Sequence, residues 1–141
     1  MIRFATSKDY DTLCHLLETE KLPTVDLDKE LPHFILKTVE GKIVGSIGLE
    51  LYGNSALLRS MMVIPHHRNE GIASELVRKL LAYAKENGVR NVYLITNTAE
   101  EFFSRKGFIK IDRSNVQKEI LSSQEFNGLC PSSSAVMIME L

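Results

Sequence analysis

Residues 61–88, MMVIPHHRNEGIASELVRKLLAYAKENG, constrain this chain more than any other stretch. An apolar strand ends at Val63–Ile64, a basic turn runs from Arg68 to Gly71, and a helix begins at once. Ile72, Leu76, Leu80 and Ala84 line one side of that helix with Leu81 beside them, and Asn87-Gly88 supplies a C-cap. A strand that turns so tightly into a helix leaves several backbone N–H groups pointing the same way, reinforced by the positive end of the helix dipole. Such a turn suits a phosphate. Gly71 lets the phosphate approach the backbone, Ala73 is small for a similar reason, and Arg68 adds a charge.

Upstream, HFILKTVE, GKIVGSIGLELYGN and SALLRSMMVIP read as three strands separated by the turn signals Gly41-Lys42 and Gly53-Asn54, an antiparallel meander. In the middle run Val44, Ser46, Gly48, Glu50 and Tyr52 share one face and Ile43, Gly45, Ile47, Leu49 and Leu51 the other. The N-terminal IRFA reads as a strand. It is followed by a helix carrying Tyr10, Leu13, Leu16 and Leu17, for which Ser7 is the expected N-cap. LPTVDLDKELP reads as a loop or a brief second helix. After the long helix come a strand (NVYLIT), a short helix (TAEEFFSRKG), a strand (FIKIDR) and a last strand in SSSAVMIMEL. The order β-α-(α)-β-β-β-α-β-α-β-β predicts an α/β fold built on one mixed sheet, and a single domain over residues 1–141.

Charge narrows the partners. Seventeen Lys and Arg against eighteen Asp and Glu leave a net charge of −1, which gives no general attraction to nucleic acid or an acidic membrane, so any anion site is local. No run approaches the ~18 apolar residues of a membrane span, and a soluble cytoplasmic protein is expected. Cys14 and Cys130 lie far apart and are expected as free thiols, Cys14 in the core. The turn lacks the G-x-G-x-x-G of dinucleotide folds and the Gly-Lys-Ser/Thr of ATP-binding loops, and His66 and His67 fit no helical zinc pattern, so no metal is expected.

Taken together, MMVIPHHRNEGIASELV resembles the acetyl-coenzyme A signature of the GNAT N-acetyltransferases: strand, V-x-P, Arg68-x-x-Gly71-x-Ala73, helix. TNTAEEFFSRKGF is similar to that family's second signature, a short helix ending in a Gly-Phe pair. The resemblance implies a mostly antiparallel central sheet, splayed at the cofactor cleft, with helices on both faces, and acetyl-CoA as cosubstrate. It implies that loop amides take the pyrophosphate and that the backbone near Met62 and Val63 takes the pantetheine arm. The implied cofactor positions are Met62, Val63, Arg68, Asn69, Glu70, Gly71, Ile72, Ala73 and Ser74, with Asn97 and Phe103 added. Many members carry a tyrosine where this chain has Phe103, so the tyrosine acid that would protonate the leaving thiolate is absent. More narrowly, GLELYGNSALLRSMMVIP, DRSNV and EFNGLCPSSSAVMIMEL resemble the branch associated with arsenic-resistance operons, and through it the acetyltransferase domain of N-acetylglutamate synthase. Both relatives imply a small amino-acid-like amine as acceptor, including arsenic- or phosphorus-containing analogues.

An acceptor amine of pKa ~8 to 10 is mostly protonated at neutral pH, so a base or water relay is required. Glu50, on the polar face of a central strand, is the candidate base. Arg59 interrupts an apolar run, where an unpaired charge is costly. It either pairs with Glu50 or another carboxylate, or holds an acidic group of the substrate, and Arg113 is the second candidate for that task. Two other readings remain open: a coenzyme A-binding sensor without turnover, motivated by Phe103, and an acetyltransferase for protein N-termini or lysines. A homodimer is compatible with the sequence.

Overall fold

The computed structural model describes residues 1–121 and 134–141. Seven strands are hydrogen-bonded in the order β1-β2-β3-β4-β5-β7-β6. They are β1 (Ile2–Phe4), β2 (Phe34–Val39), β3 (Lys42–Tyr52), β4 (Ser55–Val63), β5 (Asn91–Thr96), β6 (Ile109–Ile111) and β7 (Ala135–Glu140), and the helices are α1 (Tyr10–Thr19), α2 (Ile72–Glu86), α3 (Glu100–Arg105) and α4 (Lys118–Leu121). The pairs β1–β2, β2–β3, β5–β7 and β6–β7 are antiparallel. By contrast β4 and β5 run parallel, with Ser55, Ala56 and Leu57 opposite Asn91, Val92 and Tyr93. The mixed sheet read from the sequence is therefore the observed one.

The chain falls into two compact units, Met1–Leu49 with Arg59–Tyr83, and Glu50–Leu58 with Ala84–Leu141. In the first, β2 alternates cleanly. Phe34 and Leu36 join Leu13 and Leu17 of α1 in one buried cluster that also holds Leu27, Leu31 and Met62. On the opposite face Lys37 Nζ reaches Glu75 of α2 at 3.0 Å, and the imidazole of His33 meets the hydroxyl of Tyr83 at 2.5 Å. Helices thus cover both faces of this half of the sheet, as a period-two strand with two apolar faces requires.

Gly45 of β3 sets how closely α2 approaches. A Cβ on Gly45 would lie 3.1 Å from side-chain atoms of both Ile72 and Leu76, so α2 sits down on the sheet at that point. A bulge interrupts the β2–β3 ladder: Lys37 pairs with Gly45 but Thr38 with Ile43, leaving Val44 as the extra residue. Its carbonyl is satisfied by the amide of Ile64 at 2.9 Å, which anchors the end of β4.

The start of α1 corrects the sequence reading. Its N-cap is Asp9, not Ser7, and the short 3-10 turn before it is capped by Thr6, whose backbone is extended (φ −127°, ψ 172°), whose hydroxyl accepts from the amide of Lys8 and whose amide donates to the Asp9 carboxylate in a capping box. Ser7 already belongs to the short 3-10 turn that leads into α1. In the second unit, Leu57, Tyr93, Val116, Ile120 and Val136 form the buried cluster, with Tyr52 packed against it. Among the described residues no helix is long and apolar enough to cross a membrane. Cys130 lies outside the described residues.

Candidate functional site

The turn after β4 is built from two left-handed residues. Pro65–His67 form a short 3-10 turn, Asn69 has φ +66° and Gly71 φ +80°, and α2 begins at Ile72. Asparagine and glycine are the residues that adopt this conformation at least cost. A Cβ built on Gly71 meets no protein atom within 4 Å, so the space above it is open. Through the turn the amides of His67 and Arg68 donate to Ile64 and Pro65, and the next one to find a backbone acceptor among the described residues is that of Glu75, on Gly71 O at 3.1 Å. The intervening amides, those of Asn69 to Ser74, have no backbone acceptor among the described residues, the condition in which a turn leading into a helix can offer donors to an anion.

The side chains of this segment divide. Ile72 is buried, Ala73 and Ser74 are half-buried, and Asn69, Glu70 and Gly71 are exposed. Glu70 turns to the imidazole of His67 at 3.1 Å. The Arg68 guanidinium folds back along the chain: Nε donates to the carbonyl of Val63 at 2.9 Å and Nη2 pairs with the Glu20 carboxylate at the end of α1. Glu20 escaped the sequence reading because forty-eight residues separate it from its partner.

A left-handed residue in β4, just before Met62 and Val63, is held by a polar network. Ser60 has φ +57° within the strand. Its carbonyl accepts from the Ser46 hydroxyl at 2.7 Å and its hydroxyl from Arg59 Nε at 3.2 Å. Arg59 also meets Asp26 with both terminal nitrogens, at 2.5 and 2.8 Å, its side chain 1% and that of Asp26 4% exposed. Burial works to raise the Asp26 pKa, yet the Arg59 hydrogen bonds and charge outweigh it and hold the carboxyl below its ordinary value. A carboxylate partner of Arg59 is thus Asp26, in the segment read as a loop or brief helix.

In the second unit, Glu50 is half-buried and Tyr52, two residues on and therefore on the same face of β3, donates its hydroxyl to Glu50 Oε1 at 3.5 Å. Phe103 is buried, with edge-to-face rings at Phe102 and Phe108 whose centroids lie 5.2 and 5.4 Å away. Asn97, exposed after β5, accepts from the Ser134 hydroxyl. Arg113 is half-buried at the start of the 3-10 turn after β6. The candidate cofactor-turn residues and Arg59 thus belong to the first unit, and Glu50, Asn97, Phe103 and Arg113 to the second. Among the described residues no group of three or more His, Cys, Asp or Glu side chains could hold a metal.

The family model described as "Acetyltransferase (GNAT) family" matches residues 4–108. The chain belongs to that family. An uncharacterized N-acetyltransferase of Chlorobaculum tepidum is 31% identical over 88 residues, covering 62% of this chain and 56% of that one. An amino-acid acetyltransferase of Mycobacterium tuberculosis is also 31% identical, over 65% of this chain and 50% of that one. The chain spans about half the length of these two curated relatives. Among solved structures, a Mycobacterium tuberculosis protein in complex with CoA superposes with a TM-score of 0.82 at 22% identity, over 100% of this chain and 99% of that one. The N-acetylglutamate synthase of Neisseria gonorrhoeae, complexed with coenzyme A and N-acetyl-glutamate, gives 0.83 at 18% identity, over 100% of this chain and 35% of the other. At these identities the two structures establish the shared fold. Together with the family match they confirm the GNAT architecture expected from the signatures.

Proposed function

We propose that this GNAT protein is an acetyl-CoA-dependent N-acetyltransferase acting on a small amino-acid-like amine. The observation that carries the proposal is the turn from Arg68 to Ser74, with two left-handed residues, a run of amides without backbone acceptors and open space over Gly71. These residues fit the cofactor: the amides of Asn69 to Ser74 would take its diphosphate, and the backbone at Met62 and Val63 its extended arm. When bound, acetyl-CoA supplies a thioester-activated acetyl group.

The chain's own residues would do the rest. Glu50 takes the ammonium proton of the acceptor, directly or through water, because only the neutral amine has a lone pair to offer. Phe103 carries no proton, so no acid is supplied from that position and water meets that need. Arg59 and Arg113 are the candidates for holding an acceptor carboxylate, Arg59 already meeting the carboxylate of Asp26. Names of relatives support the acceptor class: proteins of Mycobacterium tuberculosis and Aeromonas salmonicida similar to this chain are amino-acid acetyltransferases. Within that class, an arsenic- or phosphorus-containing amino-acid analogue is the narrower acceptor we infer from the resemblance of the sequence to the arsenic-resistance branch.

Calorimetric titration with acetyl-CoA, followed by a thiol-release screen over free amino acids, their arsenic and phosphorus analogues, polyamines and peptides, tests the reading. Gly71→Asp places a side chain and a negative charge in the open space over the turn. It should weaken acetyl-CoA at least tenfold, about 1.4 kcal/mol, in a folded protein. Unchanged affinity would remove the turn from the cofactor site. Binding without turnover on any amine would mark a sensor, and preference for peptides a protein acetyltransferase.

A further inference from the structure

We infer that Arg68 acts as a staple for the cofactor turn rather than as a ligand of the cofactor's phosphates, and that Glu20 at the end of α1 is the second half of that staple. The inference rests on the function proposed above and assigns Glu20 a role in it.

Three observations converge on the pair. First, the guanidinium is already committed at two points, to the Val63 carbonyl through Nε and to Glu20 through Nη2, and both lie behind the turn in the chain. Second, Glu20 stands where a carboxylate is locally unfavourable. It is the C-cap of α1, its amide directed at the carbonyls of Leu16, Leu17 and Glu18, and no basic residue lies in the last turn of that helix. A helix C-terminus carries partial negative charge, so a glutamate there is destabilising unless a cation is brought to it. Lys21 follows in the left-handed conformation (φ +61°) as the helix stops, but the charge that reaches Glu20 is Arg68. Third, Asn69 and Gly71 both sit at positive φ immediately after Arg68. Backbone of this kind keeps one shape only when its surroundings hold it there. Fixing residue 68 to a strand end and a helix end holds the first residue of the turn, and with it the direction of the amides that follow.

A guanidinium that bridges two acceptors at fixed geometry cannot be replaced by an ammonium, which offers a point charge on a flexible stem. That difference separates a staple from a phosphate ligand. The pair is substantially exposed, Arg68 49% and Glu20 21% by side chain, and exposed pairs contribute little to global stability. Loss of the staple should therefore appear in cofactor affinity and not in the melting temperature.

The experiment is titration of CoA and acetyl-CoA into the intact protein and its Glu20→Ala, Arg68→Ala, Arg68→Lys and double-alanine variants, with thermal melts of each. Wild type is measured first, so absence of cofactor binding there overturns the proposed function and leaves this inference without a subject. Given wild-type binding, we expect each single variant, Arg68→Lys included, to weaken the cofactor about three- to tenfold with an unchanged melt. The double variant should be no worse than either single one, as coupled partners require. If Glu20→Ala tightens the cofactor, or leaves it unchanged while Arg68→Ala loses affinity, Arg68 is a phosphate ligand and the staple is wrong. Full affinity in Arg68→Lys overturns it equally.

Discussion

Asp26 and Arg59 meet as a buried bidentate ion pair, 2.5 and 2.8 Å long, that ties the segment after α1 to the middle of β4. The same guanidinium reaches the Pro23 carbonyl at 3.4 Å and the Ser60 hydroxyl at 3.2 Å. Removing one partner of such a pair leaves the other charge buried without compensation, which costs ~3–5 kcal/mol. Asp26→Ala should accordingly lower the denaturation midpoint strongly. The double variant Asp26→Leu/Arg59→Met, which buries no charge, should recover most of the loss. Equal midpoints for wild type and Asp26→Ala in urea titrations would show that the pair does not hold this segment.

Low pH tests two carboxylates. The hydrogen bonds from Arg3 hold the Asp9 pKa down to about 2, from an ordinary 3.8, against the opposing effect of its partial burial. Asp26 is lowered as well. A carboxyl depressed in the folded state contributes stability that is complete above its unfolded pKa and disappears as pH falls through the folded one. Stability should therefore be flat above pH ~5 for these groups and fall between pH ~4 and ~2. Asp9→Asn should make that fall shallower, read as unfolding free energy at half-unit pH intervals. Because Arg3 is 36% exposed, screening keeps the Asp9 share small. A slope identical to wild type would dismiss it.

Gly48 stands opposite Phe34 in the β2–β3 ladder, and the ring lies over it: a Cβ at residue 48 would come within 2.5 Å of the Phe34 Cζ. Phe34 is itself wedged into the α1 cluster, so the ring has little room to yield. Gly48→Ala should cost ~1–3 kcal/mol by overpacking, and Gly48→Ala/Phe34→Leu less than the single change. A more stable Gly48→Ala, measured by thermal melt, would mean the strand prefers alanine to the ring contact.

The elements that were legible in the sequence are those whose signal is local. Helix α2 was written in its period and its cap, and Gly88 at φ +79° closes it where Asn87-Gly88 predicted. Glu40 and Gly41, both left-handed, and Gly53 make the hairpin turns of the meander. The turn at Gly71 was legible for the same reason, since a tight turn between a strand and a helix calls for a left-handed residue, and Gly71 has φ +80°. What escaped was long-range or exceptional. Nothing near Arg59 points to Asp26, thirty-three residues away, and nothing near Arg68 points to Glu20. No composition rule places a serine at φ +57° inside a strand. That position is fixed by Ser46 and Arg59, neither of which announces its partner.

Glu50 is the residue we propose as the base. It is half-buried on β3, and the Tyr52 hydroxyl reaches its Oε1 at the long end of hydrogen-bond range, 3.5 Å. Glu50→Gln keeps the shape and the acceptor oxygen for Tyr52 but removes the basicity. If Glu50 takes the ammonium proton, turnover should fall ~10²-fold or more while acetyl-CoA affinity stays at its wild-type value. The deficit should shrink at high pH, where solvent has already deprotonated the amine. Tyr52→Phe should change turnover far less, because it leaves the carboxylate and its basicity in place. A general structural defect would instead lower acetyl-CoA affinity and the melting temperature along with the rate, and would not be relieved by raising pH. Full turnover in Glu50→Gln from pH 6 to 9 would place the base elsewhere, leaving water or another carboxylate to take the proton.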